Sequence, residues 1–69
     1  MDLLRLGNFM DWQPIASAPV DRDLELAVIN MAGVYALVFP CRRVDGGWVR
    51  AGTGRPIVVH PTHWRDWQT

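Results

Sequence analysis

Tryptophan is concentrated near the two ends of this chain, and its placement constrains the fold more than any other feature. One Trp-centred phrase runs from Asp11 to Ile15, and the other runs from Pro61 to Gln68. Burying one Trp removes roughly 150–250 Å² from water, which at about 25 cal/mol per Å² sets an upper bound of about 4–6 kcal/mol. We therefore expect the two phrases to form a structural clasp over one core. The predicted clasp residues are Trp12, Ile15, His63 and Trp64.

The chain is too short for more than one domain, and few devices can stabilise it. A domain of 69 residues buries only about 60% of the surface that its unfolded chain exposes. Domains of this size usually need further stabilisation, such as disulfides, a metal ion or oligomerisation. Cys41 is the only cysteine, so no internal disulfide can form, and an unpaired thiol fits a reducing cytoplasm. We expect residues 1–10 to be a flexible tail or one short helical turn. Residues 11–69 are then a single small β domain with an aromatic core.

Charge is balanced over the whole chain but divided between its halves. The formal net charge is zero, which argues against a generally basic nucleic-acid-binding protein. Residues 1–30 carry two Arg against five acidic residues, whereas residues 31–69 carry five Arg against two Asp. The longest apolar run, residues 26–40, contains Asn30 and Gly33 and is too short to span a bilayer. We therefore expect a cytoplasmic protein with no targeting segment and no membrane contact.

Alternating apolar residues and turn signals predict four short strands. They cover residues 24–29, residues 34–39 with a continuation at 42–44 beyond Pro40, residues 48–50, and residues 57–60. Residues 34–39 are apolar on both faces, which predicts a central strand. Asp45-Gly46-Gly47 is a strong hairpin signal. Because all connections are tight, we predict an antiparallel meander. The expected fold class is all-β, as a small curled four-stranded sheet or a partial barrel.

Short motifs follow one another along most of the chain in a characteristic order. They are Trp12-Gln13-Pro14-Ile15, Ala18-Pro19, Asp21-Arg22, a central Trp48 and Pro61-Thr62-His63-Trp64. This order resembles a family of short bacterial and phage-encoded proteins that is classified as a domain of unknown function. The resemblance covers residues 12–64, and the chain departs from the pattern at Val20, where a Lys or a similar polar residue is expected. It implies a cytoplasmic accessory protein, often phage-linked, and it assigns no catalytic residue.

Residue types that serve in metal binding or catalysis are present but poorly spaced. His60 and His63 do not match the ligand spacing of structural zinc, and in an extended segment their rings point to opposite faces. Cys41 and a His could form a nucleophile and base, but so short a chain has little room for a cleft. The loop at residues 52–55 lacks the Lys and the following helix of a phosphate-binding loop. We expect no catalytic residue, no metal and no cofactor, with His63 hydrogen-bonded to backbone and Cys41 buried.

The strongest binding signal surrounds the predicted hairpin turn. Arginines precede and follow this turn, and Trp48 and Arg50 share one face of a strand. Single-stranded nucleic-acid-binding proteins use platforms of Arg and aromatic side chains. A Trp48 that packs inward beneath a solvated Arg face is the more common arrangement. Trp67 lies beyond the region of resemblance and is a further candidate. The candidate binding residues are Arg42, Arg43, Trp48, Arg50, Arg55 and Trp67.

We expect the function to be binding rather than catalysis. Hydrophobic residues make up 49% of the chain, which is more than so small a domain can hide from solvent. This predicts a non-catalytic interaction module that binds a protein partner or forms a homo-oligomer. The alternative is a weak single-stranded nucleic-acid-binding protein that uses the hairpin of Arg42, Arg43 and Arg50.

Overall fold

A computed structural model describes residues 11–68 as one antiparallel sheet of seven strands that does not close into a barrel. The strands are β1 (Gln13–Pro14), β2 (Leu24–Asn30), β3 (Gly33–Ala36), β4 (Cys41–Val44), β5 (Gly47–Arg50), β6 (Pro56–Ile57) and β7 (His63–Asp66), and one 3₁₀ turn covers Ile15–Ser17. The predicted all-β class is confirmed, whereas the predictions for residues 1–10 lie outside the described residues. No helix within residues 11–68 is long and apolar enough to cross a membrane.

Strand β2 lies at the centre of the sheet and is paired along both edges. Residues 24–27 pair with β7 on one side, and residues 27–30 pair with β3 on the other side. Strand β4 pairs with β2 at Leu24 and continues into the run β4–β5–β6. Strand β1 pairs with β7. The last strand of the described chain therefore lies between the first two.

The core lies on one face of β2, as the alternation of its residues predicts. Leu24 and Leu26 are fully buried, and they cluster with Ala18 and Cys41. Burying one Leu side chain contributes roughly 1.5–3 kcal/mol relative to leaving it exposed. Partly buried side chains surround this cluster, namely Ile15, Leu37, Phe39, Trp48, Ile57, Val59 and Trp64. Both Trp phrases and the central hairpin thus contribute to one core.

The β4–β5 and β2–β3 hairpins each have a turn whose residues favour the backbone conformation that the turn requires. In the β4–β5 hairpin Val44 pairs with Gly47, and Gly46 between them adopts a φ of +85°, which favours Gly because it has no Cβ. In the β2–β3 hairpin Asn30 pairs with Gly33. The Asn30 Oδ1 atom accepts a 2.8 Å hydrogen bond from the backbone N–H of Ala32, as in an Asx turn.

The sheet has seven strands rather than four because both Trp phrases pair as strands, and because the predicted strand at residues 34–39 with its continuation at 42–44 divides into β3 and β4. Gln13 and Pro14 of β1 pair with Trp64 and His63 of β7, and β7 occupies the edge of β2 that the predicted meander leaves open. Buried backbone N–H and C=O groups need hydrogen-bond partners, and β7 supplies them to β2. The sequence interpretation treated these phrases as covers over the sheet, although they are part of it.

Two further predicted strands differ from the structure. Residues 34–39 were predicted to form a central strand, but β3 ends at Ala36 and pairs with β2 alone among the described strands. An exposed edge strand that is apolar on both faces has the same residue pattern as a central strand, so periodicity could not separate them. The predicted strand at residues 57–60 is reduced to the two residues of β6, and Val58 beyond it is 93% exposed.

Ion pairs join the acidic first half of the chain to the basic second half. Arg65 on β7 contacts Glu25 on β2 at 2.7 Å, and both side chains are largely buried, at 24% and 18% exposed. Arg42 contacts Asp23 at 2.7 Å in a more exposed setting. The division of charge in the sequence therefore corresponds to contacts between strands that are distant along the chain.

Candidate functional site

Arg43 and Trp48 face each other across the β4–β5 hairpin. They are direct cross-strand partners, so both side chains lie on the same face of the sheet. The Arg43 Cζ atom lies 5.8 Å from the Trp48 ring centroid, within cation–π range, and the Arg43 guanidinium donates a 2.8 Å hydrogen bond to the carbonyl oxygen of Ala18. Trp48 packs against the core. The hairpin therefore holds a guanidinium beside a half-buried ring.

Of the remaining candidate arginines, Arg50 lies on the same face as this pair because it follows Trp48 by two residues on β5, whereas Arg42 lies on the opposite face. Arg42 alternates with Arg43 along β4 and donates to the Asp23 carboxylate at 2.7 Å. The Arg50 Cζ atom lies 4.2 Å from the Phe39 ring centroid. Arg55 is exposed, and its carbonyl oxygen accepts a 2.9 Å hydrogen bond from the Arg50 N–H. The structure gathers these residues around one hairpin but directs their charges to different neighbours.

An open groove of about 500 Å³ lies beside Trp48. The hairpin turn forms one wall, the 3₁₀ turn forms a second wall, and residues 59–61 form a third. Trp48, Ile15 and Val59 supply apolar surface, while Arg43 and His60 supply polar groups. A groove of this kind can receive a flat ring beside a negatively charged group.

Three of the four predicted clasp residues, Ile15, His63 and Trp64, lie at the junction of the two Trp phrases. The backbone N–H of Ile15 donates to the carbonyl oxygen of Thr62 at 3.0 Å, and the Trp64 indole N–H donates to the Ser17 hydroxyl at 3.0 Å. His63 Nδ1 lies 2.8 Å from the Thr62 hydroxyl, a side-chain contact rather than the expected bond to backbone. Ile15 and Trp64 both pack against the core cluster.

Trp12 and Trp67 lie near a different group of side chains, around the Glu25–Arg65 ion pair. The Arg65 Cζ atom lies 4.1 Å from the Trp12 ring centroid, while its Nε donates to Glu25 at 2.7 Å. Trp67 borders a cavity of about 280 Å³ that Glu25 and Arg65 also line. The backbone N–H of Trp67 donates to the Asp23 carbonyl oxygen at 3.1 Å. Trp12 thus stacks on a cation, and Trp67 is anchored to the domain.

The Cys41 thiol is less acidic than an exposed thiol because it is buried. Its side chain is fully buried, and this burial raises the pKa of the thiol from 9.0 to about 11 against the opposing effect of Arg50. Such a thiol is a weak nucleophile, because the reactive species is the thiolate. Within residues 11–68 no three His, Cys, Asp or Glu side chains gather in a way that could hold a metal ion.

Four exposed apolar side chains lie on the β2–β3 hairpin and the residues that follow it. Met31 and Val38 are 104% and 87% exposed, and Tyr35 and Val34 are 57% and 45% exposed. We call these four side chains the β2–β3 surface. Sequence reasoning missed this surface, although one signal was available, because residues 26–41 contain no charged residue.

Comparison of the chain with protein-family models, with curated proteins and with solved structures gives no match. The resemblance to a domain-of-unknown-function family therefore stays a prediction.

Proposed function

We propose that this chain is a non-catalytic protein-interaction module whose contact surface is the β2–β3 surface. The observation that carries the proposal is the exposure of four large apolar side chains on the β2–β3 hairpin and the residues that follow it. Single exposed apolar residues are ordinary on a soluble protein, whereas several on one short segment favour a site of interaction. A partner that covers this surface would gain the free energy of removing it from water.

The backbone of β3 supports the same proposal. Strand β3 pairs with β2 through the register Ala27–Ala36 to Asn30–Gly33, and no other strand within residues 11–68 pairs with it. An edge strand of this kind offers N–H and C=O groups to a further strand. Apolar side chains and free backbone groups therefore lie at the same edge of the sheet.

Site-specific photo-crosslinking in cells tests this proposal. A photoreactive amino acid at Met31 should give a discrete adduct with a protein, because Met31 projects fully from the hairpin. The matched control carries the same group at Arg55, an exposed residue next to β6. An adduct at Met31 and none at Arg55 supports the proposal. No adduct at Met31, or equal adducts at both positions, contradicts it.

Weak binding of single-stranded nucleic acid is the second candidate function, and the Arg43–Trp48 pair favours it. The groove beside Trp48 could receive one base, with Arg43 close to a phosphate. Titration of a labelled oligonucleotide at low salt should then show binding that falls as salt increases. The Arg43→Ala variant should weaken this binding more than Arg42→Ala, because Arg42 is paired with Asp23. A flat titration removes this candidate.

We further propose a cytoplasmic location and a bacterial, phage-related role. The unpaired, buried Cys41 supports a reducing compartment, and the order of the Trp-centred motifs supports the phage-related role. Cell fractionation tests the first, and the genes that neighbour the coding sequence test the second. A secreted protein, or a chromosomal setting unrelated to prophages, would contradict them in turn.

A further inference from the structure

We infer that the partner at the β2–β3 surface is a second copy of this chain, with the two β3 strands paired antiparallel about a two-fold axis at Tyr35. This inference rests on the proposed function and names its partner. It extends one sheet into a continuous sheet across two subunits. Three features of the β3 edge support it, namely its free backbone groups, its neutrality and its residue order.

The backbone of β3 is arranged to accept a further strand. The N–H of Leu37 donates to the carbonyl oxygen of Leu26 at 2.9 Å, and hydrogen-bonded pairs alternate along an antiparallel ladder. Tyr35 therefore directs its N–H and C=O groups towards Val28 on β2. The N–H and C=O groups of Val34 and Ala36 point away from the sheet, at the edge where no other described strand lies.

The neutrality of this edge favours a second copy over a different protein. A two-fold axis brings a strand beside its own counterpart, so a charged residue near the axis would face a like charge at close range. Residues 26–41 carry no charge. Natural sheets commonly protect an edge strand with Lys or Pro, and β3 (sequence Gly-Val-Tyr-Ala) contains neither. The edge can meet its copy without electrostatic cost.

The register follows from the positions of the free backbone groups. With the axis at Tyr35, Val34 of each copy lies opposite Ala36 of the other, and each of these pairs can exchange two hydrogen bonds. The two Tyr35 residues then form the intervening pair that is not hydrogen-bonded, where side chains are closest. Aromatic pairs in that position are favourable. An axis at Val34 or Ala36 would leave only one bonded pair within β3.

Sedimentation equilibrium of the full chain tests the stoichiometry. We expect a reversible monomer–dimer equilibrium, with a dimer of twice the 7.8 kDa chain mass. Tyr35→Lys should weaken the dimer by about tenfold or more, because it places like charges at the axis. Thr53→Lys adds the same charge on the β5–β6 loop and should leave the dimer unchanged. A wild-type monomer at every concentration, or equal effects of the two variants, overturns the inference.

Disulfide trapping tests the register. Tyr35→Cys should form a symmetric intermolecular disulfide, because Cα atoms of a non-hydrogen-bonded pair lie about 4.5 Å apart, within disulfide range. Val34→Cys alone should not, since the two copies of residue 34 lie on the diagonal, about 7–8 Å apart. A mixture of Val34→Cys with Ala36→Cys should form the mixed disulfide. Efficient trapping of Val34→Cys alone overturns this register. The buried Cys41 of the wild-type chain should give no dimer.

The outcomes separate this inference from the proposed function. A Met31 adduct whose mass differs from a doubled chain overturns the second-copy inference and leaves the interaction module intact. An adduct formed within one chain, mapped by mass spectrometry, shows that another part of this chain covers the surface and overturns both. A dimer that dissociates in Tyr35→Lys, with circular dichroism like the wild type, supports both.

Discussion

At the scale of single residues, the tryptophans of the two phrases have different roles. Trp64 packs against the core and donates its indole N–H to Ser17, whereas the ring of Trp12 stacks on Arg65. The sequence interpretation assigned both to one clasp, with the same role. Because Trp12 contacts a guanidinium rather than the buried cluster, the structure separates the two contributions.

Trp64→Ala should reduce the free energy of unfolding by about 3–5 kcal/mol, the usual cost of removing a large packed side chain. Trp12→Ala should cost less, about 1–2 kcal/mol, since it removes a cation–π contact and half-buried surface. Urea denaturation monitored by far-ultraviolet circular dichroism measures both. Equal losses in the two variants would show that Trp12 contributes to the core as Trp64 does.

Cys41 should be inert in the native protein and should make stability depend on pH in the alkaline range. The pKa of the thiol is raised to about 11 by burial, so the folded state favours the protonated form. This contribution is complete below pH 9 and is lost as pH rises towards 11, because the unfolded thiol ionises first. Iodoacetamide at pH 8 should react slowly with native protein and quickly in denaturant, and rapid native alkylation would contradict the assigned burial.

At the scale of elements, ion pairs of different burial connect the strands. The Glu25–Arg65 pair joins β2 to β7, with side chains 18% and 24% exposed. The Arg22–Asp66 pair joins the turn before β2 to the end of β7, with side chains 50% and 55% exposed. Exposed pairs are screened by solvent and stabilise little, whereas removing the charge of one partner of a less exposed pair costs more.

Glu25→Gln should therefore destabilise the protein by about 1–3 kcal/mol, because Arg65 keeps its charge in a largely buried position. Asp66→Asn is the matched control and should cost less than about 1 kcal/mol. Thermal denaturation at low and high salt measures both. A larger loss for Asp66→Asn than for Glu25→Gln would contradict the ranking by burial.

The elements also show how much the sequence could predict. The β4–β5 hairpin and β2 were predicted because a turn signal and strict alternation act over a few neighbouring residues. The pairing of β7 with β2 depends on contacts between residues about forty positions apart, such as Arg65 with Glu25. The pattern of neighbouring residues does not indicate a partner so distant in the chain. The residues of β7 were therefore predicted to form a covering tail, and those of β3 were predicted to form part of a central strand.

The candidate site was predictable to a similar extent. Alternation and the turn predicted that Arg43 and Trp48 share a hairpin, and their cross-strand contact has that arrangement. Arg42 was grouped with them, but its position on β4 brings it into contact with Asp23, which lies in the turn before β2. The β2–β3 surface was missed because an exposed apolar edge and a buried strand have the same composition.

At the scale of the whole molecule, the two candidate functions differ in their response to salt. The β2–β3 surface contains no charge, so the dimer dissociation constant should change little between low and high ionic strength. Nucleic-acid binding through Arg43 should fall steeply over the same range. Sedimentation and oligonucleotide titration in matched buffers measure both. A dimer that dissociates with added salt would contradict an interface built from neutral residues.

The position of β7 between β1 and β2 also determines when the sheet can form. Strand β2 is synthesised before β7, so one of its edges remains open until His63–Asp66 have been synthesised. Strand β1 is synthesised before β2 and also pairs with β7, so the interval between its synthesis and its pairing is longer. Long-range pairings of this kind make folding slow. A nascent chain therefore exposes one edge of an apolar strand until β7 has been synthesised, and the sheet is completed only after β7 emerges.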